Sequence, residues 1–371
     1  MPVVADVIKL IETIAPSRLA QDWDNSGLQI GNPDWPAKRI LICLDPSLAV
    51  VTAACDQNFD LLITHHPLIF KPIKAIDFTS PLGKIIDLTT RHRLAIFSAH
   101  TNLDSAAGGL NDVFAKKIGL TNLTLLDPDP AIEFCKLAVY VPVEYCQTVL
   151  DAFFELDSSA IEDYSCCTFR CQGKGTFKPG FSSKPFIGKP GEIAHIDEVK
   201  IEARIRKNEL NRAIDLIRSR HPYEVMAFDA YPVYSEEAET GFGRIGRLGR
   251  PVPLTLLAQE IKSKFNLAHL RVSGPPDLPV QTVAVCTGSG SSLMKHFLKS
   301  GAQVFISGDL KYHDARDAEA YSRCLIDIGH FASEKLMIEL IQERLQSLLK
   351  ENKVDAEVQT WEHEKDPFEY F

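Results

Sequence analysis

Short, near-continuous apolar runs alternate with helical segments at both ends of this chain. Arg39 to Leu44, Leu61 to Thr64 and Ala95 to Ala99 lie in the first third, and Val283 to Cys286, Val304 to Ser307 and Cys324 to Ile328 in the last. A strand that is apolar at successive positions is buried on both faces, so these runs require helices above and below a largely parallel sheet. Stretches with helical apolar spacing supply them: Val3 to Thr13, Ala49 to Cys55, Leu82 to Thr90, Leu254 to Phe265, Leu293 to Lys299 and Ser333 to Leu349. Both ends are therefore expected to be α/β.

The middle has another rhythm. The proline-acidic stretch Leu126-Asp127-Pro128-Asp129-Pro130 is read as a linker. After it come strand Lys136 to Val141, helix Tyr145 to Glu155 and strand Ser165 to Gln172, then a Gly, Ser, Lys and Pro-rich loop from Gly173 to Gly191. Strand Val199 to Arg206, helix Glu209 to Ser219 and strand Val225 to Pro232 complete the order βαββαβ, the ferredoxin-like arrangement. From about Gly243 the first rhythm resumes. The expected organisation is an α/β domain whose first half is residues 1–125 and second half 243–371, interrupted by a ferredoxin-like α+β insert at 126–242. A length of 371 residues suits two or three domains of roughly 100 to 200 residues each.

Charge narrows the function classes. Forty Lys plus Arg against forty-nine Asp plus Glu leaves a net −9, which argues against a general nucleic-acid or membrane-surface binder. No apolar run approaches the roughly 18 residues of a membrane span. Nine scattered cysteines without zinc-finger spacing read as reduced thiols, and the N-terminus lacks the basic region and cleavage site of a secretory signal. The expected location is the cytoplasm.

Three strand ends carry residues suited to metal chemistry. Thr64-His65-His66-Pro67 follows a buried strand, and adjacent side chains there point to opposite sides, so two His can serve two neighbouring ions. His100-Thr101-Asn102-Leu103-Asp104 follows the next strand and offers Asp104 as an oxygen ligand, or simply as a helix cap. Asp327 to Glu334 leaves a strand and enters a helix, and the i, i+4 spacing puts His330 and Glu334 on one face. Taken alone, the His pair is equally well read as packing, an Asp before a helix is more commonly an N-cap, and a His and Glu one turn apart are usually a solvated helix face. Together they form a nitrogen and oxygen set for a dinuclear Zn, Mn or Fe site. Asp24-Asn25-Ser26-Gly27 and Ser307-Gly308-Asp309 with Tyr312-His313 read as walls of the same site. Gly241 to Gly246 matches GxGxxG, but acidic Ser235 to Glu239 precedes it and Pro251 and Pro253 follow, so it reads as a glycine-rich edge strand, not a dinucleotide loop.

As a set, Asp24-Asn25-Ser26-Gly27-Leu28, Thr64-His65-His66-Pro67-Leu68, His100 to Asp104, Ser307-Gly308-Asp309 with Tyr312-His313, and Gly329-His330 with Glu334 resemble the NIF-three-like family. Its members are often labelled GTP cyclohydrolase type 2 homologs. The resemblance implies two divalent metal ions, with His65, His66, Asp104, His330 and Glu334 as ligands, and Glu334 and Asp104 between the ions. The middle segment, with His221-Pro222-Tyr223-Glu224, is similar to the PII/CutA-like insert of long family members, which implies a toroidal homohexamer with trimeric contacts through the insert. The same label implies opening of the guanine ring of GTP, with His100 or His313 moving protons and Lys71 and Lys74 meeting phosphates. Three further classes remain open at this point: another metal-dependent phosphoester or nucleotide hydrolase, a non-catalytic hexamer that binds metal or senses a small ligand, and a nucleic-acid or transcription partner, against which the net charge of −9 argues.

Overall fold

The structure, a computed structural model, describes residues 1–128, 134–156, 164–233 and 240–369. Asp129 and Pro130 of the expected linker, and the acidic run Ser235 to Glu239, lie outside the described residues. Two units make up the chain: Met1–Asp129 with Ala238–Phe371, and Pro130–Glu237.

The first unit contains two mixed sheets. In the five-stranded one the order is Gly27–Ile30, Ala95–Ser98, Leu61–Thr64, Arg39–Ile42 and Glu357–Thr360; only the first pair is antiparallel. In the six-stranded one the order is Arg271–Ser273, Cys324–Asp327, Val304–Gly308, Pro279–Ser289, Gly241–Pro253 and Thr121–Pro128, with the second, third and fourth strands parallel. The double-sided burial expected of the strands holds in detail. Ile40, Ile42, Leu61 and Ile63 share one core with Val304, Ile306 and Ile326 of the other sheet and with helices Val4–Ile14, Leu110–Ile118 and Leu336–Glu351. Leu41, Cys43 and Leu62 face the opposite way, onto helices Leu48–Asp56 and Pro81–His92. Ala284, Phe305 and Leu325 likewise pack on helices Met294–Lys299 and Tyr312–Ala320. Helix and sheet layers therefore alternate through this unit.

Some sequence expectations are corrected. Leu126 to Pro128 is not a linker but the end of an edge strand, where a proline's missing N–H is harmless. Gly241 to Gly246 is extended but internal, paired on both sides. The Arg244 guanidinium within it is buried, donating to the carbonyls of Gly241, Gly243 and Ala106 and to the carboxylate of Asp112 (2.7 Å). The expected terminal helix is two, His330–Glu334 and Leu336–Glu351, and the closing strand Glu357–Thr360 was not anticipated. Among the described residues no helix is long and apolar enough to cross a membrane.

The second unit has one antiparallel sheet, ordered Thr168–Phe177, Ala194–Arg206, Phe134–Pro142, Phe228–Pro232. Helices Cys146–Phe154 and Leu210–Arg220 cover one face, burying Val149, Phe153, Ala213 and Ile217 against Val139, Ile201 and Ile205. The expected loop from Gly173 is shorter than its composition suggests. Gly173 to Phe177 extends an exposed edge strand, which needs no apolar residues, and Lys174 there pairs with Asp197 (2.8 Å).

Candidate functional site

Five parallel strands, from both sheets of the first unit, end at one place. Asp45 follows Arg39–Ile42, His65 and His66 follow Leu61–Thr64, and His100 and Asp104 follow Ala95–Ser98. From the other sheet, Asp309 follows Val304–Gly308, and His330 and Glu334 follow Cys324–Asp327. Gly329 makes the last approach feasible. It adopts φ +87°, its amide donates to Asp327 Oδ1 (3.0 Å), and the helix carrying both ligand-type residues starts at once.

The imidazoles share one pattern. His65 is fully buried, and its Nδ1 donates to the Ala99 carbonyl (2.8 Å). Its Nε2 then faces Glu334 Oε1 at 3.5 Å and Asp104 Oδ1 at 3.9 Å. His66 donates from Nδ1 to Asp45 Oδ1 (2.8 Å) and brings Nε2 to 3.0 Å from Glu334 Oε2. His330 donates from Nδ1 to Asp309 Oδ2 (2.8 Å), with Nε2 2.8 Å from the same Glu334 oxygen. His100 donates from Nδ1 to Asp24 Oδ1 (2.7 Å). In each ring one nitrogen is held by an outer oxygen, which fixes the tautomer and leaves Nε2 as the other nitrogen.

Ligand-type atoms of His65, His66 and His100 lie within 4.8 Å of one another, and so do those of His66, His330 and Glu334. The two groups share His66. Glu334 is buried and splits its oxygens, one toward His65, the other toward His66 and His330. His65 Nε2 and Glu334 Oε2 are both buried without a hydrogen-bond partner of good geometry, although the latter lies 3.0 and 2.8 Å from the Nε2 atoms of His66 and His330. Gly288 makes room for Glu334: a Cβ there would stand 2.1 Å from Oε1.

The electrostatics describe a site that attracts positive charge. Burial disfavours a charged His66, but Asp45 and Glu334 outweigh it and push its pKa up to about 10. Burial likewise opposes charge on His330, yet Glu334 and Asp309 raise it to about 9. Glu334 is held well below the carboxylate range by His65, His330 and His66 despite its burial. Asp104 moves up, chiefly through burial. Asp24 is buried too, but His100 and Thr101 hold its carboxyl well below the usual range.

A model of the family Duf34/NIF3 (NGG1p interacting factor 3) matches residues 2–367. The chain belongs to the Duf34/NIF3 family. Among its relatives, proteins of Halalkalibacterium halodurans and Bacillus subtilis, each called "GTP cyclohydrolase 1 type 2 homolog", are each 37% identical over 364 residues, or 98% of this chain and 98% and 97% of theirs. A solved Bacillus cereus protein related to NIF3 is 35% identical with a TM-score of 0.71, and a Staphylococcus aureus protein 31% identical with 0.77; each covers 100% of this chain and 99% of its own.

Within this family member, His65, His66, His330 and Glu334 converge, and Asp104 stands beside His65 with its Oδ1 also accepting from the Thr287 hydroxyl (3.2 Å). His100 joins the cluster from the Asp24 side. His313 is exposed on the first turn of helix Tyr312–Ala320, beside the ring of Tyr312. Sequence reasoning missed Asp45 and Gly288. Asp45 carried the same signal as the other sites, an acidic residue just past an apolar run. Gly288 carried none, because its role is to be small beside a residue 46 positions away (334 − 288).

Proposed function

We propose that this chain is a metal-dependent hydrolase whose two divalent cations are held by His65, His66, Asp104, His330 and Glu334. One observation carries the reading: three imidazoles commit Nδ1 to outer oxygens and turn Nε2 toward Glu334, where His65 Nε2 and Glu334 Oε2 are buried without hydrogen bonds. Leaving such atoms unpaired costs about 1–3 kcal/mol each, and coordination to a cation removes that cost. Mixed imidazole and carboxylate donors fit zinc foremost, then manganese or iron.

Bound there, the cation pair supplies Lewis acidity and stabilises charge developing on the substrate. The protein's own groups supply the rest. His100, held through Nδ1 by ionised Asp24, is the group that moves a proton through Nε2; His313 is the alternative. Trp23 and Phe70 are exposed, with ring centroids 6.2 and 6.5 Å from that of His100, and offer apolar faces to a planar base. Lys71 and Lys74, exposed on the same loop as Phe70, meet phosphates. With the relatives' names, these features support a purine nucleotide, GTP, as substrate, its imidazole ring opened by hydrolysis. Purified protein reconstituted with zinc, manganese or iron is expected to release formate from GTP. No formate with any of the three overturns the substrate, and no bound metal on elemental analysis overturns the centre.

The order of the four-stranded sheet supports assigning the second unit to the ferredoxin-like, PII/CutA-like class. Its edge strands Thr168–Phe177 and Phe228–Pro232 are exposed and carry Phe169 and Tyr231, surfaces suited to trimeric contacts in a toroidal homohexamer. Sedimentation at six times the chain mass of 41.3 kDa is the expected result. Nine free thiols support a cytoplasmic location.

A further inference from the structure

The segment after the last strand, Trp361 to Phe368, has no part in the reading above. It continues along Arg39–Ile42, the Trp361 amide donating to the Ile42 carbonyl (2.8 Å). Three residues on, Glu364 lays its carboxylate across two successive backbone amides. Leu44 N–H donates to Oε2 (2.7 Å) and Asp45 N–H to Oε1 (2.8 Å). Successive amides aimed one way form a small anion-binding concavity, and here the anion is the chain's own.

The backbone so held carries the His pair. The Leu44 carbonyl accepts the amides of both His65 and His66 (3.1 Å each), and the Asp45 side chain accepts from His66 Nδ1. That side chain is 52% exposed, so solvent competes for its carboxylate unless its backbone is fixed. A continuous path therefore runs from Glu364 through the Asp45 backbone and carboxylate to His66.

We propose that Glu364 is a positioning residue for His66, setting the aim of its Nε2 by clamping the Leu44–Asp45 backbone. The inference rests on the metal reading only for its second readout below. The His330–Asp309 pair makes the same kind of bond without Glu364 and serves as an internal control.

The test uses Glu364→Ala and Glu364→Gln in the full chain. In metal-free protein, the NMR resonance of His66 Nδ1–H is expected to broaden through faster water exchange in Glu364→Ala, while that of His330 stays. Glu364→Gln keeps an oxygen for one of the two amides and should fall between. With cobalt(II) as probe, Glu364→Ala should bind about tenfold more weakly, with an altered absorption spectrum, and Glu364→Gln less so. An unchanged His66 resonance in a folded variant overturns the proposal, as does equal loss of both His resonances, which marks a general folding role. If Glu364→Ala does not fold, Glu364→Gln decides. Wild-type protein that binds no cobalt sinks the metal centre alone, and the proton resonance still judges Glu364.

Discussion

His66 and His330, 264 positions apart in the chain, point their Nε2 atoms at each other across 3.3 Å. Each ring has committed Nδ1 to a carboxylate, so two neutral rings would oppose lone pair to lone pair. Only a cation between or beside them, a proton or a metal, makes the approach favourable. Removing one ring should therefore abolish the site without dissolving the fold. His330→Ala is expected to lose at least about 100-fold in zinc affinity by isothermal titration, with its circular dichroism spectrum unchanged.

The raised pKa values give this pair a pH signature. In metal-free protein the charged rings are favoured by Glu334, Asp45 and Asp309, so their contribution is fully present below the ordinary His value of 6.5. It is lost as pH rises through about 9 for His330 and about 10 for His66. The apparent melting temperature of metal-free protein should fall from pH 7 to 10, while zinc-loaded protein declines less. Zinc binding at pH 7 should also release protons, seen as a buffer-dependent binding enthalpy. A buffer-independent enthalpy would contradict the assignment.

Asp24 supports His100 and also accepts from the Thr101 amide and hydroxyl, the Ser26 hydroxyl and the Asn25 amide. Asp24→Ala strips partners from several polar groups at once, and urea unfolding should show a loss of about 3 kcal/mol. Its lowered pKa means that its stabilisation exists above the ordinary value of 3.8 and disappears as pH falls below it. Asp24→Asn keeps the shape but not the charge. It should lower any turnover about 100-fold or more while retaining bound metal.

Gly288 adopts φ +63° directly against Glu334. Gly288→Ala forces a side chain into the left-handed region, at about 1–2 kcal/mol, and displaces the Glu334 carboxylate. Thermal unfolding and zinc titration on the same variant should show both losses. Full zinc affinity in a folded Gly288→Ala protein would disprove the tight seating of Glu334.

The second unit has its own pH-sensitive group. His221 is buried, accepts the Tyr223 amide at Nδ1 (3.1 Å) and donates from Nε2 to the Tyr140 carbonyl (2.9 Å). Burial lowers its pKa below 6.5, so the folded state binds fewer protons than the unfolded and loses stability as pH drops beneath that value. Hydrogen-exchange protection in strand Phe134–Pro142, corrected for the intrinsic pH dependence of amide exchange, should fall between pH 6.5 and 5, and His221→Gln should flatten that response.

Much of this site is legible in the sequence, because buried strands announce themselves and ligand-type residues stand just beyond them. His65, His66, His100, His330 and Glu334 were all recognisable by that rule. Asp45 obeyed it and was overlooked. Gly241 to Gly246 misled, since a glycine-rich run between acidic residues and prolines reads as an edge until strands are seen paired on both of its sides. Glu364 was invisible: an acidic residue near a chain end has no periodicity to betray what it binds.

The sequence by itself determined the local chemistry: which runs are strands buried on both sides, which residues leave their ends, and that His330 and Glu334 share a helix face. Period and polarity are properties of neighbours along the chain, so they can be read there. Only the tertiary structure decided that two separate sheets, not one, bring their strand ends to the same place, so that His66 of one meets His330 of the other. That meeting depends on how the sheets pack on the helices between them, through a core shared by Ile42, Ile63, Ile306 and Ile341. No local pattern encodes it, because apolar contacts are non-directional and their partners are chosen by the whole packing.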